Sequence, residues 1–296
     1  MTALRFDRLT KAWPGGRGIF DLDLAVDGGE FFGFIGENGA GKSTSIRAAL
    51  GLLTPSAGRV ELFGRVIDDA TRADVGYVPA EPGLWDGMTV GEALSFLGSL
   101  HRLDPAPRRR VLLDALELDP GRRASDLSLG NKKKVALVAA LQHQPRLLIL
   151  DEPSNGLDPL MQQRLFGLLH EEQQRGATIF FSSHVLAEVE RCCSRVAILK
   201  QGRLVQLASV DELRARQTRR VELRPAAAAT ATLSLPGVSS VVIDQERAHF
   251  RYGGPMPPLM RALADDGVHD VAIERPSLEE IVLSHYGQSG ANHVSA

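Results

Sequence analysis

The chain has 296 residues, 44% of them hydrophobic and 24% charged, which is ordinary globular usage with length for one large domain or two of common size. Lys and Arg number 34 against 36 Asp and Glu, so the clearly basic balance of a general nucleic-acid binder is missing and the composition disfavours that class. The only cysteines, Cys192 and Cys193, are chain neighbours, so no framework of bridges is expected, which fits a reducing compartment.

The opening MTALRFDRLTK lacks the apolar core of a signal peptide, and no run approaches the roughly 18 apolar residues of a membrane span. The expectation is a soluble, cytosolic chain that needs a partner for any role at a membrane. LRFDRLT and IFDLDLAV read as short alternating strands around the turn WPGGRG. FFGFI is a compact apolar strand, followed by a glycine loop and the helical STSIRAALGLL. TPSAG is a turn and GRVELFG another strand. From about residue 82 to 145 the pattern turns helical, with VGEALSFLGSLH and RRRVLLDALEL as apolar-striped segments. The basic runs Arg108–Arg110 and Lys132–Lys134 are read as solvated helix faces. RLLILDEP is a buried strand, LMQQRLFGLLHEEQQRG a helix and ATIFFSSH another strand, an alternation that argues a parallel sheet covered on both faces. Cys192 and Cys193 are read as structural, buried where a helix passes to RVAILK.

After about residue 213 the composition shifts, and RRVELRPAAAATATL reads as a boundary or variable surface segment. VSSVVID and RAHFRYG follow as strands, PPLMRALADDG as a helix, VHDVAIE as a strand and SLEEIVLSHYG as a closing helix. ANHVSA is a frayed tail. Residues 214–296 are therefore expected to form a small α+β appendage.

GENGAGKS, from Gly36 to Ser43, matches G-x-x-x-x-G-K-S/T between a strand and a helix. Its glycines let successive N–H groups curl around a phosphate, Lys42 reaches the terminal oxygens, and the Ser43 hydroxyl can ligand Mg²⁺. Gly36, Glu37, Asn38, Gly39, Ala40, Gly41, Lys42, Ser43 and the following Thr44 are the candidate phosphate-binding residues. The four apolar residues of LLIL place Asp151 at a strand's exposed end with Glu152 beside it. Asp151 is expected to hold Mg²⁺ through water and Glu152 to polarise an attacking water.

Gly36–Ser43, Leu127–Asn131, Asp151–Glu152, Asn155–Asp158 and His184 follow one another in the order and rough spacing of ATP-binding-cassette (ABC) ATPases. Residues 1 to about 213 resemble one such cassette, and PSLEEIVLSHYG with the small domain before it is similar to subunits that drive ABC-2-type exporters. The resemblance implies an α/β P-loop ATPase fold: a parallel-sheet core, an antiparallel β subdomain and a helical subdomain. It also implies ATP and Mg²⁺ as ligands. LSLGN looks like the signature usually written LSGGQ, so Ser128 and the Gly130 amide would meet the γ-phosphate of an ATP held by a second subunit. A head-to-tail homodimer follows from this, because both half-sites lie in one chain. Read without the resemblance, Ser128 is a helix cap. By the same carry-over, Trp13 stacks on adenine, His184 meets the γ-phosphate as a catalytic group beside Glu152 and Lys42, and Asp158 crosses the dimer interface. The implied partner is a separately encoded membrane-spanning permease, with the cassette peripheral on the inner face of the membrane and no nucleic acid involved.

The match breaks at VGYVPAEPGLWDGMTV, where the family carries a glutamine that contacts Mg²⁺ and the attacking water. Ala80 stands there and can do neither; Glu81, next to it, has the chemistry to reach the metal but a different backbone direction. Leu129 and Asn131 replace a signature glycine and glutamine. Leu84, Trp85 and Met88 are read either as the edge of a groove for a permease helix or as local packing. Two other functions stay open. One is a nucleotide-binding regulator with negligible hydrolysis, encouraged by Ala80. The other is a soluble cassette ATPase acting on nucleic acid or ribosomes, whose relatives carry a second cassette or a coiled-coil insertion that this chain lacks between Gly41 and Leu127.

Overall fold

A computed structural model describes residues 1–101, 105–215, 218–224 and 229–274, and the chain divides into two compact units, Met1–Ala208 and Ser209–Ala296. The first unit runs β1 (Thr2–Ala12), β2 (Gly18–Asp27), β3 (Phe31–Gly36), α1 (Lys42–Ala49), β4 (Ala57–Leu62), β5 (Arg65–Val66), α2 (Asp69–Arg72) and β6 (Val75–Val78). It continues with α3 (Val90–Ser99), α4 (Ala106–Ala115), α5 (Leu129–Leu141), β7 (Leu147–Asp151), α6 (Pro159–Gln174), β8 (Thr178–Ser183), α7 (Leu186–Cys192), β9 (Arg195–Lys200) and β10 (Arg203–Ser209).

β3, β7 and β8 are buried at every position, because they are inner strands of a sheet ordered β10-β9-β3-β8-β7-β6. From β9 to β6 each strand of that sheet runs parallel to its neighbour. Such strands are apolar throughout since both faces are covered. β1 and β2 alternate buried and exposed instead, as members of a second, antiparallel sheet ordered β2-β1-β4-β5. The two sheets share one core. Phe180 of β8 lies 6.2 Å from Phe6 of β1 and 4.9 Å from Phe34 of β3, ring centre to ring centre. On the other face Phe181 meets Phe31 and Phe166 of α6. Truncating Phe180 to alanine should cost about 3–5 kcal/mol, the usual loss for a buried aromatic.

Helices α3, α4 and α5 occupy the stretch whose pattern is helical. α3 opens with a reciprocal cap, in which Thr89 Oγ1 accepts from the Glu92 N–H and the Glu92 carboxylate accepts from the Thr89 N–H. α1 is shorter than STSIRAALGLL suggests: it ends at Ala49, just before Gly51 turns left-handed at φ 70°. Cys192 and Cys193 are buried, and burial pushes the Cys192 thiol up to about 11 and the Cys193 thiol well above the usual thiol range.

The basic runs depart from expectation. Lys133 is 1% exposed, and Arg108 donates to the fully buried Glu172 at 2.7 Å, so each run has a member turned inward to a specific acceptor. Trp85 is about half exposed and stacks edge-on against Phe96, itself exposed, at 5.4 Å. Among the described residues no helix is long and apolar enough to cross a membrane.

The second unit contains α8 (Val210–Ala215), β11 (Arg219–Arg224), α9 (Thr230–Leu233), β12 (Val238–Asp244), β13 (Arg247–Tyr252), α10 (Met256–Asp265) and β14 (Asp270–Glu274). Its antiparallel sheet is ordered β12-β13-β11-β14 over a core of Val221, Leu223, Phe250, Tyr252, Leu259 and Leu263. RRVELR, expected as part of a boundary, is thus the inner strand β11. Its Val221 and Leu223 alternate inward, and that alternation outweighs the alanine-rich composition beside it. The expected closing helix SLEEIVLSHYG and the tail ANHVSA lie outside the described residues.

Candidate active site

Parallel register brings three strand ends to one edge of the central sheet. Ile35 of β3 pairs with Ser183 of β8, and Ser182 pairs with Asp151 of β7. The segments leaving these strands therefore start side by side: the glycine loop from β3, Asp151–Glu152 from β7 and His184 from β8. β6 joins them, because Val78 pairs with Leu150, which sets Ala80 and Glu81 beside the acidic pair. The carboxyl edge of an open α/β sheet is where such folds bind ligands.

The loop's shape depends on glycine. Gly39 and Gly41 are left-handed, at φ 85° and 108°, and a Cβ on Gly41 would sit 2.0 Å from Ile19 Cδ1. No side chain caps α1, so its first-turn N–H groups face the cleft without a local acceptor. That end of a helix attracts anions.

Lys42 is 6% exposed. Its ammonium donates to the Gly36 carbonyl and lies 3.5 Å from Glu152 Oε1. The other carboxylate oxygen of Glu152 is 2.7 Å from His184 Nδ1, so one acid joins the lysine and the histidine. Glu152 is itself left-handed at φ 49°, an uncommon geometry for a residue with a side chain. It marks the sharp turn by which the chain leaves β7 and aims the carboxylate back over the cleft. Asp151, buried, accepts from Ser43 Oγ at 2.9 Å and from Ser182 Oγ at 3.1 Å. A hydroxyl and a carboxylate side by side are hard oxygen donors that suit Mg²⁺, which takes few protein ligands and fills its octahedron with water and phosphate. On β6, burial pushes the Tyr77 phenol up and the Asp151 charge adds to the shift.

One cleft is lined by Glu37, Asn38, Gly39, Gly41, Lys42, Ser43, Thr44, Ala80, Glu81, Asp151, Glu152, Asn155 and His184. Ala40 is buried behind it, its carbonyl accepting from the Gly202 N–H, and Gly36 ends β3. Trp13 is not in the cleft. It stands 45% exposed on the β1–β2 turn, with the Lys11 ammonium 4.9 Å over its ring. Residues Gly16 to Gly18 of that turn do adjoin Asn38 and Gly39 across a neighbouring hollow. Ser128, Gly130 and Asp158 also lie outside the cleft. Ser128 caps α5 by accepting from the Asn131 N–H at 3.3 Å, and Asp158 caps α6 by accepting from the Met161 N–H at 2.9 Å. Gly130 is packed so closely that an added Cβ would fall 2.7 Å from the Gly156 carbonyl oxygen.

Two contributors are absent from the sequence expectations: Ser182 holds Asp151, and Lys133 donates to the carbonyls of Pro79 and Ala80 at 2.9 and 2.6 Å. Asn155, named there only as the start of Asn155–Asp158, lines the cleft. The signal for Lys133 is its place four and eight residues before Leu137 and Leu141, on the buried stripe of α5.

A family profile described as ABC transporter matches residues 19–155. An uncharacterized ABC transporter ATP-binding protein of Synechocystis sp. is 32% identical across 91% of this chain and 78% of its own length. The bacitracin transport ATP-binding protein BcrA of Bacillus licheniformis is 30% identical across 98% of this chain and 87% of its own. A solved ATP binding subunit of an ABC transporter, 33% identical, superposes with a TM-score of 0.68 and covers 72% of this chain and 92% of that one.

Proposed function

Since the chain belongs to the ABC transporter ATP-binding proteins and is an ATP-hydrolysing cassette, we propose that the cleft at the ends of β3, β7 and β8 is its ATP site and that it powers an ABC-2-type exporter. The observation that carries this reading is the linked trio Lys42–Glu152–His184 beside the Ser43–Asp151 pair.

The residues divide the work by charge. The loop amides and Lys42 bind and neutralise the terminal phosphates. Glu152 orients the attacking water and takes up its proton. His184, bonded to the same carboxylate, fixes its direction and presents the other edge of its ring to the cleft. Ser43 and Asp151 would hold Mg²⁺, which when bound would supply positive charge to offset that of the transferring phosphoryl group. Most of the catalysis is positioning and electrostatics, because phosphoryl transfer asks for little covalent help.

The second half of the reading is a head-to-tail homodimer. Ser128 and Gly130 lie outside the cleft of their own chain, while a helix N-terminus with a serine cap and a glycine in its first turn suits a phosphate presented by another body. Trp13 is assigned to the adenine and Asp158 to the facing subunit. The permease partner would dock on the helical subdomain, where Trp85 and Phe96 form an exposed aromatic pair. Cassette and permease together place the protein on the cytoplasmic face of a membrane. The small α+β appendage, residues 214–296, is assigned to the same assembly.

Affinity capture of the tagged chain from gently solubilised membranes of its host tests the export reading. A stoichiometric polytopic membrane protein is expected. Ribosomal or nucleic-acid partners without such a subunit would overturn export and leave the ATPase standing.

A further inference from the structure

At position 80 the side chain is a methyl group, yet the backbone around it is held by a cation. The Lys133 ammonium donates to the carbonyl of Ala80 at 2.6 Å and to that of Pro79 at 2.9 Å. Lys133 belongs to α5, five residues beyond the cap Ser128, and is 1% exposed. Burying an ammonium forfeits its hydration, and a methionine could fill the same volume without that cost. The cation therefore needs a reason beyond packing. Its surroundings supply one: burial lowers the Lys133 pKa, while the carboxylates of Asp151, Glu152 and Glu81 act in the opposite sense. These are cleft residues, so the positive charge is felt where the chemistry is assigned.

The anchor of this lysine is firm. A Cβ on Gly76 of β6 would lie 2.3 Å from the Ala140 carbonyl oxygen, and one on Gly130 would lie 2.7 Å from that of Gly156. Thus α5 touches β6 backbone to backbone near one end and the turn after β7 near the other. A side chain leaving its second turn is held at a fixed distance from the ends of both strands.

We propose that Lys133 is a positioning residue for ATP hydrolysis, tethering the Pro79–Glu81 main chain to α5 so that Glu81 is presented to the cleft in place of a functional side chain at position 80. The tether also joins the helix that begins at Ser128 to the segment bordering Asp151 and Glu152 through one side chain. This rests on the reading of the cleft as the ATP site.

The test is a double-substitution cycle on the full chain, with MgATP turnover as the readout. Lys133→Met should lower kcat about 10- to 100-fold, the scale of a misplaced catalytic group, with KM changed less than about threefold. Glu81→Gln should also lower kcat, and the double variant should be no worse than the poorer single one, because both act through one segment. A Lys133→Met chain turning over within about twofold of wild type, or losses that multiply in the double variant, would overturn the assignment. If Lys133→Met does not fold, Lys133→Leu, which likewise has no N–H donor for the two carbonyls, is put through the same cycle on the same criteria. Wild-type chain without turnover would instead bring down the reading of the cleft, and this proposal with it.

Discussion

Two helices of the cassette begin in a similar way and end up with different surroundings. α1 starts after a glycine loop and α5 after a serine and leucine. Each offers N–H groups at its first turn. Around the start of α1 the parallel register gathers Lys42, Asp151, Glu152 and His184 into one cleft. At the start of α5, Ser128 closes the helix with its own side chain and Leu129 stands 58% exposed. A helix terminus is a weak anion site alone; charges delivered by neighbouring strands make it a strong one. Among the described residues the start of α5 receives no such delivery from its own chain, which supports the proposal of a second subunit facing it.

Breaking the first cradle should have the largest effect. Lys42→Ala removes charge-assisted bonds to phosphate, each worth about 1.5–3 kcal/mol, so MgATP affinity should fall at least about 100-fold. Isothermal titration of the full chain measures it, and unchanged affinity would move the nucleotide elsewhere. Glu152→Gln keeps shape and removes the base. It should bind MgATP about as well as wild type, lose about 10²–10³ in kcat, and accumulate as an ATP-dependent dimer in sedimentation. A variant that hydrolyses normally would take Glu152 out of this role. Removal of divalent metal by EDTA should also stop turnover, and activity surviving chelation would free Ser43 and Asp151 from the metal.

Mixing separates the two cradles. A chain carrying Lys42→Ala and a chain carrying Ser128→Asp should each be inactive. In a mixed head-to-tail dimer one site combines both lesions and the other has neither. Equal mixing should then restore about a quarter of wild-type turnover. No recovery would mean that α5 serves its own chain, and the contrast between the two helix starts would collapse.

Much of this geometry is legible in the amino-acid sequence alone. FFGFI, LLIL and IFF are short continuous apolar runs, which marks inner strands, and the polar residues after each one must then gather at a common edge. What escapes is long-range packing of residues whose type misleads. Lys133 reads as solvated because lysine usually is, although its spacing from Leu137 and Leu141 puts it on the buried stripe. Ser182 gives no signal at all until Asp151 is known to lie opposite it. RRVELR is outvoted by the alanines after it, although two buried residues alternate within it.

The smallest effect distinguishes the two meanings of Ser128. As a cap it accepts one bond, long at 3.3 Å and exposed to water, so Ser128→Ala should cost only about 0.5–1 kcal/mol in a urea titration. Aspartate caps helices as well as serine does, and its negative charge suits the N-terminal end of the helix dipole. Ser128→Asp should therefore keep wild-type stability or gain slightly. If capping is all that Ser128 does, the aspartate variant dimerises with ATP as wild type does. If Ser128 meets a phosphate of the facing subunit, the same carboxylate sets like charge against like, and the ATP-dependent dimer of the Glu152→Gln background is lost while stability stays. Stability and assembly thus move independently only when the serine has a partner outside its own chain.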